Sequence, residues 1–260
     1  MITEDLNPEL RARLTHTGNP QDKLTMIYLP GLGTTGKSFS KVLSAQRRLQ
    51  TQGIDLSVVT FIYGSHQGEV LQGFADDSAD LGQLVDELEA RGITRERIGF
   101  FGLCYGSHVA AQYLSTHDDV GFAVMIEPYL GADSLRSPFK EALNLLKSGS
   151  GLLGNLKLPL KRIIGREAYL DLQSFAQNDG RNVDIEALEL PILTIGAHAH
   201  KFIDPDYGFL RETTTHSHIR LNASNTSRQL VNTLDGAIGS FLQEVYAYRI
   251  NTPSETSPAH

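Results

Sequence analysis

The only cysteine of this 260-residue chain, Cys104, lies in a Gly-x-Cys-x-Gly pattern that runs from Gly102 to Gly106. An apolar strand pattern, Ile98–Phe101, precedes it, and a helical pattern follows. A tight strand-to-helix turn needs small residues two positions before and after its tip, and it exposes the tip side chain at a helix N-terminus. The helix dipole and free N–H groups there favour a thiolate. The pattern therefore predicts a nucleophilic cysteine, and an inert buried thiol is the alternative.

A second glycine-rich turn, from Gly31 to Ser38, follows the apolar run Leu24–Leu29 and precedes a helical pattern. Its sequence GLGTTGKS matches the phosphate loop of nucleotide-binding proteins, in which Lys37 would contact the β- and γ-phosphates and Ser38 would hold Mg²⁺. Such a protein also needs a metal-binding carboxylate at the end of another apolar strand. The candidate is Glu127, which is followed at once by a proline. The phosphate loop stays open as an interpretation, with weak support from the rest of the chain.

The two turns together resemble those of the α/β-hydrolases. In that family the nucleophile follows a central strand, and an early strand ends in a Gly-rich turn that supplies an oxyanion-hole N–H. Cys104 would replace the usual serine here, and Pro30–Gly33 would be the early turn. The resemblance implies that the backbone N–H groups of Leu32 and Tyr105 bind the oxyanion of a tetrahedral intermediate. This interpretation uses both turns and makes the match at Lys37–Ser38 a coincidence.

The resemblance assigns the triad acid to Glu127, which follows the apolar run Phe122–Ile126 and precedes Pro-Tyr. This segment is similar to the thioesterase branch associated with polyketide and nonribosomal peptide assembly lines, in which an Asp can occupy the same place. The more usual position follows the next strand, Ile192–Ile195, after which the first carboxylate is Asp204. Glu127 is thus the first candidate and Asp204 the second. A glutamate that is solvated or paired at a strand end is the alternative for Glu127.

The histidine of the triad is the least defined member. The family places it after the last strand, Ile219–Leu221, but Asn225 stands there. His198 and His200 follow the preceding strand, at the edge where the nucleophile is expected, and either is a candidate base from a displaced position. A structural role is the alternative for both. His216 and His218 are expected at the far end of the last strand. His108 is expected to pack within the helix that follows the nucleophile.

A cysteine nucleophile without a well-placed histidine favours one kind of reaction. Attack of Cys104 on a thioester gives an enzyme thioester of similar energy, and a second thiol can then remove the acyl group with little base catalysis. Hydrolysis is penalised more, because water must be deprotonated. The features resemble the Cys-nucleophile acyl and aminoacyl transferases of nonribosomal peptide and polyketide pathways. The resemblance implies transfer between phosphopantetheine thiols of acyl or peptidyl carrier proteins, with no cofactor or metal bound by this chain itself.

Two further functions stay open. The chain could be a thioesterase-like or dienelactone-hydrolase-like hydrolase with a Cys nucleophile. It could also be a phosphate-loop nucleotide binder, or a catalytically inactive hydrolase-fold binding module.

The elements that must position these residues alternate between short apolar strands and amphipathic helices. This alternation predicts an α/β fold with a mostly parallel sheet and helices on both faces, which in view of the resemblance is the α/β-hydrolase fold. We expect one domain over residues 1–260, with a helical lid insertion at 130–190 and a flexible tail at 251–260. The predicted strands are 24–29, 56–63, 98–101, 121–126, 192–195 and 219–221; the predicted helices are 37–50, 76–90, 106–115 and 227–248.

Composition and charge exclude several classes of protein. The formal net charge of −7 disfavours a general nucleic-acid role, because phosphate binding needs a basic field. One cysteine forms no internal disulfide, and no apolar run approaches the roughly 20 residues that span a bilayer. The acidic start MITEDLNPEL lacks the apolar region of a signal peptide. A reducing, cytoplasmic setting is expected.

The charge is unevenly distributed. Residues 136–166 carry seven Lys or Arg and a single acidic residue, Glu141. Carrier domains usually present an acidic face, so this basic part of the predicted lid is a candidate docking surface for a carrier protein. A solvated helical face is the alternative.

Overall fold

The fold is built on a β-sheet whose strands contain many buried apolar residues. The computed structural model describes residues 1–31, 37–63, 74–128, 130, 185, 187–197, 216–221 and 228–251. Among these, eight strands form one sheet in the order β1-β2-β4-β3-β5-β6-β7-β8. Their bounds are Ile2–Asn7 (β1), Ala12–His16 (β2), Leu24–Leu29 (β3), Leu56–Thr60 (β4), Ile98–Leu103 (β5), Phe122–Ile126 (β6), Ile192–Ala197 (β7) and His216–Leu221 (β8).

The sheet is parallel from β4 to β8 and antiparallel at one edge, where β1 and β2 form a hairpin that joins β4. The predicted α/β fold is confirmed. The N-terminal hairpin was not predicted from the sequence. β8 also begins earlier than predicted, so His216 and His218 lie within the strand rather than before it.

Helices cover both faces of the sheet. They are α1 (Lys37–Thr51), α2 (Phe74–Ala90), α3 (Tyr105–Leu114) and α4 (Arg228–Asn251). α2 and α3 pack their apolar side chains into one core cluster, and α1 and α4 pack into the cluster on the opposite face. Helices that carry the chain in opposite directions along a parallel sheet must lie on opposite faces if each crossover is right-handed.

The chain reverses its direction across the sheet between β3 and β5. From β3 it crosses through α1 to β4 on one side, and through α2 it returns to β5 on the other side of β3. In open α/β sheets, ligands bind at the carboxyl ends of the strands next to such a reversal. The fold therefore places a candidate site where β3 and β5 end, at Gly31 and Cys104.

Two predicted segments lie almost wholly outside the described residues. For the helical insertion at 130–190 the structure describes its ends, where Leu130, Ile185 and Leu190 are buried in the core. For the tail it describes Asn251, which is the last residue of α4. No helix in the described part of the chain is long and apolar enough to cross a bilayer.

Candidate active site

Cys104 lies at the tip of a sharp turn between β5 and α3. Its backbone has φ 51° and ψ −105°, a combination that residues with a side chain rarely adopt. Its N–H donates to the carbonyl of Ile126 at 2.9 Å, and its own carbonyl accepts the N–H of Ser107 at 3.1 Å. A backbone of this kind costs on the order of 1–3 kcal/mol and persists where the surrounding structure enforces it, often at functional sites.

The two glycines of the pattern are required by close packing. A Cβ at Gly102 would lie 2.6 Å from the Cα and N of Ser107, and a Cβ at Gly106 would lie 2.1 Å from the carbonyl oxygen of Leu29. Both neighbours are backbone atoms, so neither can move away cheaply. The sequence prediction that the turn needs small residues on both sides of Cys104 is confirmed.

The glycine-rich turn that begins at Gly31 packs against the sharp turn at Cys104, which is called the elbow below. A Cβ built on Gly31 would be 3.0 Å from the carbonyl oxygen of Leu103 and 3.7 Å from the Cβ of Cys104. The end of β3 is therefore adjacent to the candidate nucleophile, as the oxyanion-hole interpretation requires. Leu32, the predicted second N–H donor, lies outside the described residues. Lys37 and Ser38 are the first two residues of α1.

Glu127 is the residue beside Cys104 on the next strand. The register pairs Leu103 with Ile126, so Cys104 and Glu127 leave the sheet side by side. Glu127 also has a positive φ, 48°, and its N–H donates to the carbonyl of Ile195 at 2.7 Å. Its side chain is buried, with 1% of its surface exposed. The solvated form of the alternative for Glu127 is therefore wrong, while a glutamate paired at the strand end stays an alternative.

The surroundings of the Cys104 thiol favour its neutral form. Burial and, after it, the charge of Glu127 raise the pKa of Cys104, and the backbone N–H of Tyr105, which bonds to the sulfur, lowers it; together these effects bring the pKa to about 12. The expectation that the helix N-terminus alone would favour a thiolate is thus wrong in this structure. The partial burial of Cys104 and the neighbouring carboxylate both disfavour the charged form, and together they outweigh one N–H donor. Ionisation of Cys104 needs a base.

Substitution of Glu127 by glutamine should make the thiol more reactive toward iodoacetamide. The wild-type alkylation rate should rise about tenfold for each pH unit between about pH 7 and 10, without a plateau, because the pKa lies above this range. Loss of the neighbouring charge lowers the pKa, so Glu127→Gln should react roughly threefold to tenfold faster at each pH. Since Cys104 is the only cysteine, mass spectrometry of the whole chain measures its alkylation alone.

The matched control is Glu244→Gln, on the exposed face of α4, which should alkylate at the wild-type rate. An unchanged or slower rate in Glu127→Gln would show that this carboxylate does not act on the sulfur through its charge.

Tyr105, directly after the nucleophile, is anchored by a contact that the sequence did not indicate. Its hydroxyl donates to the carboxyl group of Asp77 in α2, and its ring lies edge-on to Tyr63 with centroids 5.8 Å apart. All three side chains are buried. The sequence offered one weak signal for this contact, which is that Asp77 lies in the first turn of a predicted helix. An aspartate there indicates a favourable charge near a helix N-terminus rather than a buried residue.

His198, His200 and the second acid candidate Asp204 lie outside the described residues, as does Asn225. β7 ends at Ala197, so the two histidines follow a strand whose carboxyl end lies at the same edge as Cys104.

Two other histidines, His108 and His218, have structural settings. His108 is fully buried within α3, in agreement with a packing role. His218 lies in the middle of β8, where its Nδ1 is 2.7 Å from the hydroxyl of Thr194. In the described part of the chain no three His, Cys, Asp or Glu side chains are grouped in a way that could hold a metal ion.

The sheet order, the helices on both faces and the elbow define the α/β-hydrolase fold. Solved structures with this fold cover most of the chain. An enol-lactonase from Burkholderia xenovorans matches with a TM-score of 0.60 and 15% identity, over 93% of this chain and 100% of the other. A hydrolase from Oleispira antarctica matches with a TM-score of 0.61 and 16% identity, over 90% and 95%.

An esterase from Exiguobacterium antarcticum matches with a TM-score of 0.60 and 11% identity, over 89% of this chain and 95% of its own. These identities support a shared fold and no more than that. No family model matches the sequence, and no curated protein matches it.

Proposed function

We propose that this chain is an acyltransferase that carries an acyl or aminoacyl group as a thioester on Cys104. The observation that supports this most directly is the strained elbow, which holds the thiol at the N-terminus of α3 with the Tyr105 N–H at its sulfur. An inert core cysteine would not need a backbone conformation that costs on the order of 1–3 kcal/mol.

In the proposed reaction His198 or His200 removes the thiol proton, since the neutral thiol of Cys104 is a poor nucleophile. The sulfur attacks the carbonyl carbon of a donor thioester, and the carbonyl electrons move to the oxygen. The N–H groups of Tyr105 and Leu32 bind that oxyanion. When it collapses, the carbon–sulfur bond to the donor breaks, and the leaving thiolate takes the proton from the histidine. Glu127 would orient the histidine and stabilise its charged form.

The second half of the reaction is the reverse with a different thiol. Exchange between thioesters is nearly isoenergetic, so the direction of transfer is set by which acceptor docks. We propose that donor and acceptor are phosphopantetheine thiols of acyl or peptidyl carrier proteins, docked through the basic residues 136–166. The expected location in the cell is the cytoplasm.

Hydrolysis is the second candidate function. The similar structures include an enol-lactonase and an esterase, both of which cleave their substrates with water. A thiol with a raised pKa gains from a base in either reaction, and such a base could activate water as well.

The covalent intermediate decides between these proposals. The full chain is incubated with an acyl N-acetylcysteamine thioester or an acylated carrier protein, and intact-mass spectrometry should show one acyl group added. Peptide mapping should place that group on Cys104. The isolated adduct is then divided between buffer and buffer containing pantetheine. Transfer to pantetheine much faster than release of free acid would support an acyltransferase, and the opposite order a hydrolase.

Failure to form an adduct with any donor would contradict both enzymatic proposals. Nucleotide binding that is lost in Lys37→Ala would then favour a phosphate loop. Its absence would favour an inactive binding module.

A further inference from the structure

The contact between Tyr105 and Asp77 joins the elbow to a separate helix. Tyr105 is the first residue of α3, and Asp77 lies in α2, 28 positions earlier in the chain. Tyr105 is 6% exposed and Asp77 is fully buried. A phenol O–H that donates to a carboxylate oxygen in a buried site forms a strong and directional hydrogen bond.

The same carboxyl group also faces Tyr63. Burial raises the pKa of Tyr63 well above its ordinary value, and the charge of Asp77 is the next largest cause. The Tyr63 ring packs edge-on against Tyr105, so the Tyr105 ring is held from the side by Tyr63 and at its tip by Asp77. A ring fixed in two directions allows its own backbone little freedom to rotate.

The backbone of Tyr105 is the part of the residue that matters for Cys104. Its N–H is the hydrogen-bond donor that reaches the sulfur. The peptide that carries this N–H joins Tyr105 to Cys104, whose φ of 51° and ψ of −105° are unfavourable. The backbone of Cys104 would relax to a commoner conformation if Tyr105 were free to move.

We propose that Asp77 is a positioning residue, which clamps the Tyr105 ring so that the Tyr105 N–H stays directed at the sulfur of Cys104. Asp77 acts through Tyr105 and does not touch the reacting atoms. This inference rests on Cys104 being the reactive residue of the proposed function, but it is tested without an acyl donor.

The test is the rate of alkylation of Cys104 by iodoacetamide across the pH range, in the full chain. Tyr105→Phe removes one oxygen and keeps the ring, and Asp77→Ala removes the acceptor. Each should slow alkylation roughly threefold to tenfold at a fixed pH below 10, because the thiolate loses part of a charge-assisted hydrogen bond. The double variant should be no slower than either single variant, since both break the same contact.

Two further variants separate position from other causes. Asp77→Asn removes the charge but keeps an oxygen that accepts the hydrogen bond of the Tyr105 hydroxyl. Cys104 in this variant should therefore be alkylated at nearly the wild-type rate. Tyr113→Phe is the matched control: it makes the same change at the other end of α3, where the hydroxyl contacts Asp119 at 3.4 Å. It should leave the thiol unchanged even if it lowers the melting temperature.

Wild-type alkylation in Tyr105→Phe would overturn the proposal, and so would faster alkylation in both Asp77 variants, which would mean that the carboxyl group acts on the thiol through its charge. Equal slowing in Tyr113→Phe would reduce the effect to general loosening of α3. If Asp77→Ala fails to fold, Tyr105→Phe and Asp77→Asn still decide. Altered alkylation with no acyl adduct in any protein would leave this inference standing and reject the proposed function.

Discussion

Replacing Cys104 with glycine is expected to abolish formation of the proposed acyl-enzyme and at the same time to make the protein more stable. Without a thiol no thioester forms, and turnover should fall by roughly 10⁴-fold or more, as it does when a nucleophile is removed from other enzymes. Glycine adopts a positive φ without the clash that a side chain makes, so the strain at φ 51° is released. Chemical or thermal unfolding measures the second effect.

The comparison that isolates the strain is Cys104→Gly against Cys104→Ala. Both lack the thiol, but alanine keeps a Cβ in the unfavourable conformation. Strain on the order of 1–3 kcal/mol is partly offset by the greater flexibility of glycine in the unfolded chain. The glycine variant should therefore have a free energy of unfolding about 1 kcal/mol above that of the alanine variant. If the alanine variant were the more stable of the two, the elbow would not be strained.

Gly106→Ala should strongly destabilise the protein. The added Cβ would meet the carbonyl oxygen of Leu29 at 2.1 Å, and β3, which carries that carbonyl, lies in the centre of the sheet. Neither α3 nor β3 can shift without disturbing the packing of its neighbours. We expect a loss of about 3 kcal/mol or more, or a chain that no longer folds, measured by denaturant unfolding.

Gly236→Ala is the matched control for this substitution. Gly236 is exposed in α4, and a Cβ there meets no atom within 4 Å. Alanine has the higher helix propensity, so this variant should gain about 0.5–1 kcal/mol. A mild effect at Gly106 would mean that the first turn of α3 can move away from β3, and the fixed geometry at Cys104 would then be in doubt.

Burial explains which elements could be predicted from the sequence. β3 was predicted at its observed bounds because all six of its residues are buried, and a continuous apolar run is what such a strand requires. β1 was missed because its first four residues are exposed, so no alternation of apolar and polar residues marks it. β8 was predicted too short for a related reason: Ser217 at this edge strand is exposed, and polar residues occupy its first positions.

The features of the site also differ in whether the sequence could predict them. The positions of Cys104 and Glu127 follow from strand ends in a parallel sheet, and local patterns reveal strand ends. The contact of Tyr105 with Asp77 depends on the rotation of α2 about its axis, which the sequence does not specify. The pKa of Cys104 was predicted in the wrong direction because the local pattern shows the helix N-terminus but not the burial or the neighbouring carboxylate.

The backbone links at the carboxyl edge have a consequence for engineering. The N–H of Cys104 donates to the carbonyl of Ile126 on β6, and the N–H of Glu127 donates to the carbonyl of Ile195 on β7. The residue after each strand is therefore hydrogen-bonded to the end of the next strand. These two hydrogen bonds would transmit any shift of β7 to β6 and then to the sulfur of Cys104. Libraries that aim to change the substrate of the proposed reaction should therefore hold the strand ends at Leu103, Ile126 and Ile195 constant and diversify elsewhere.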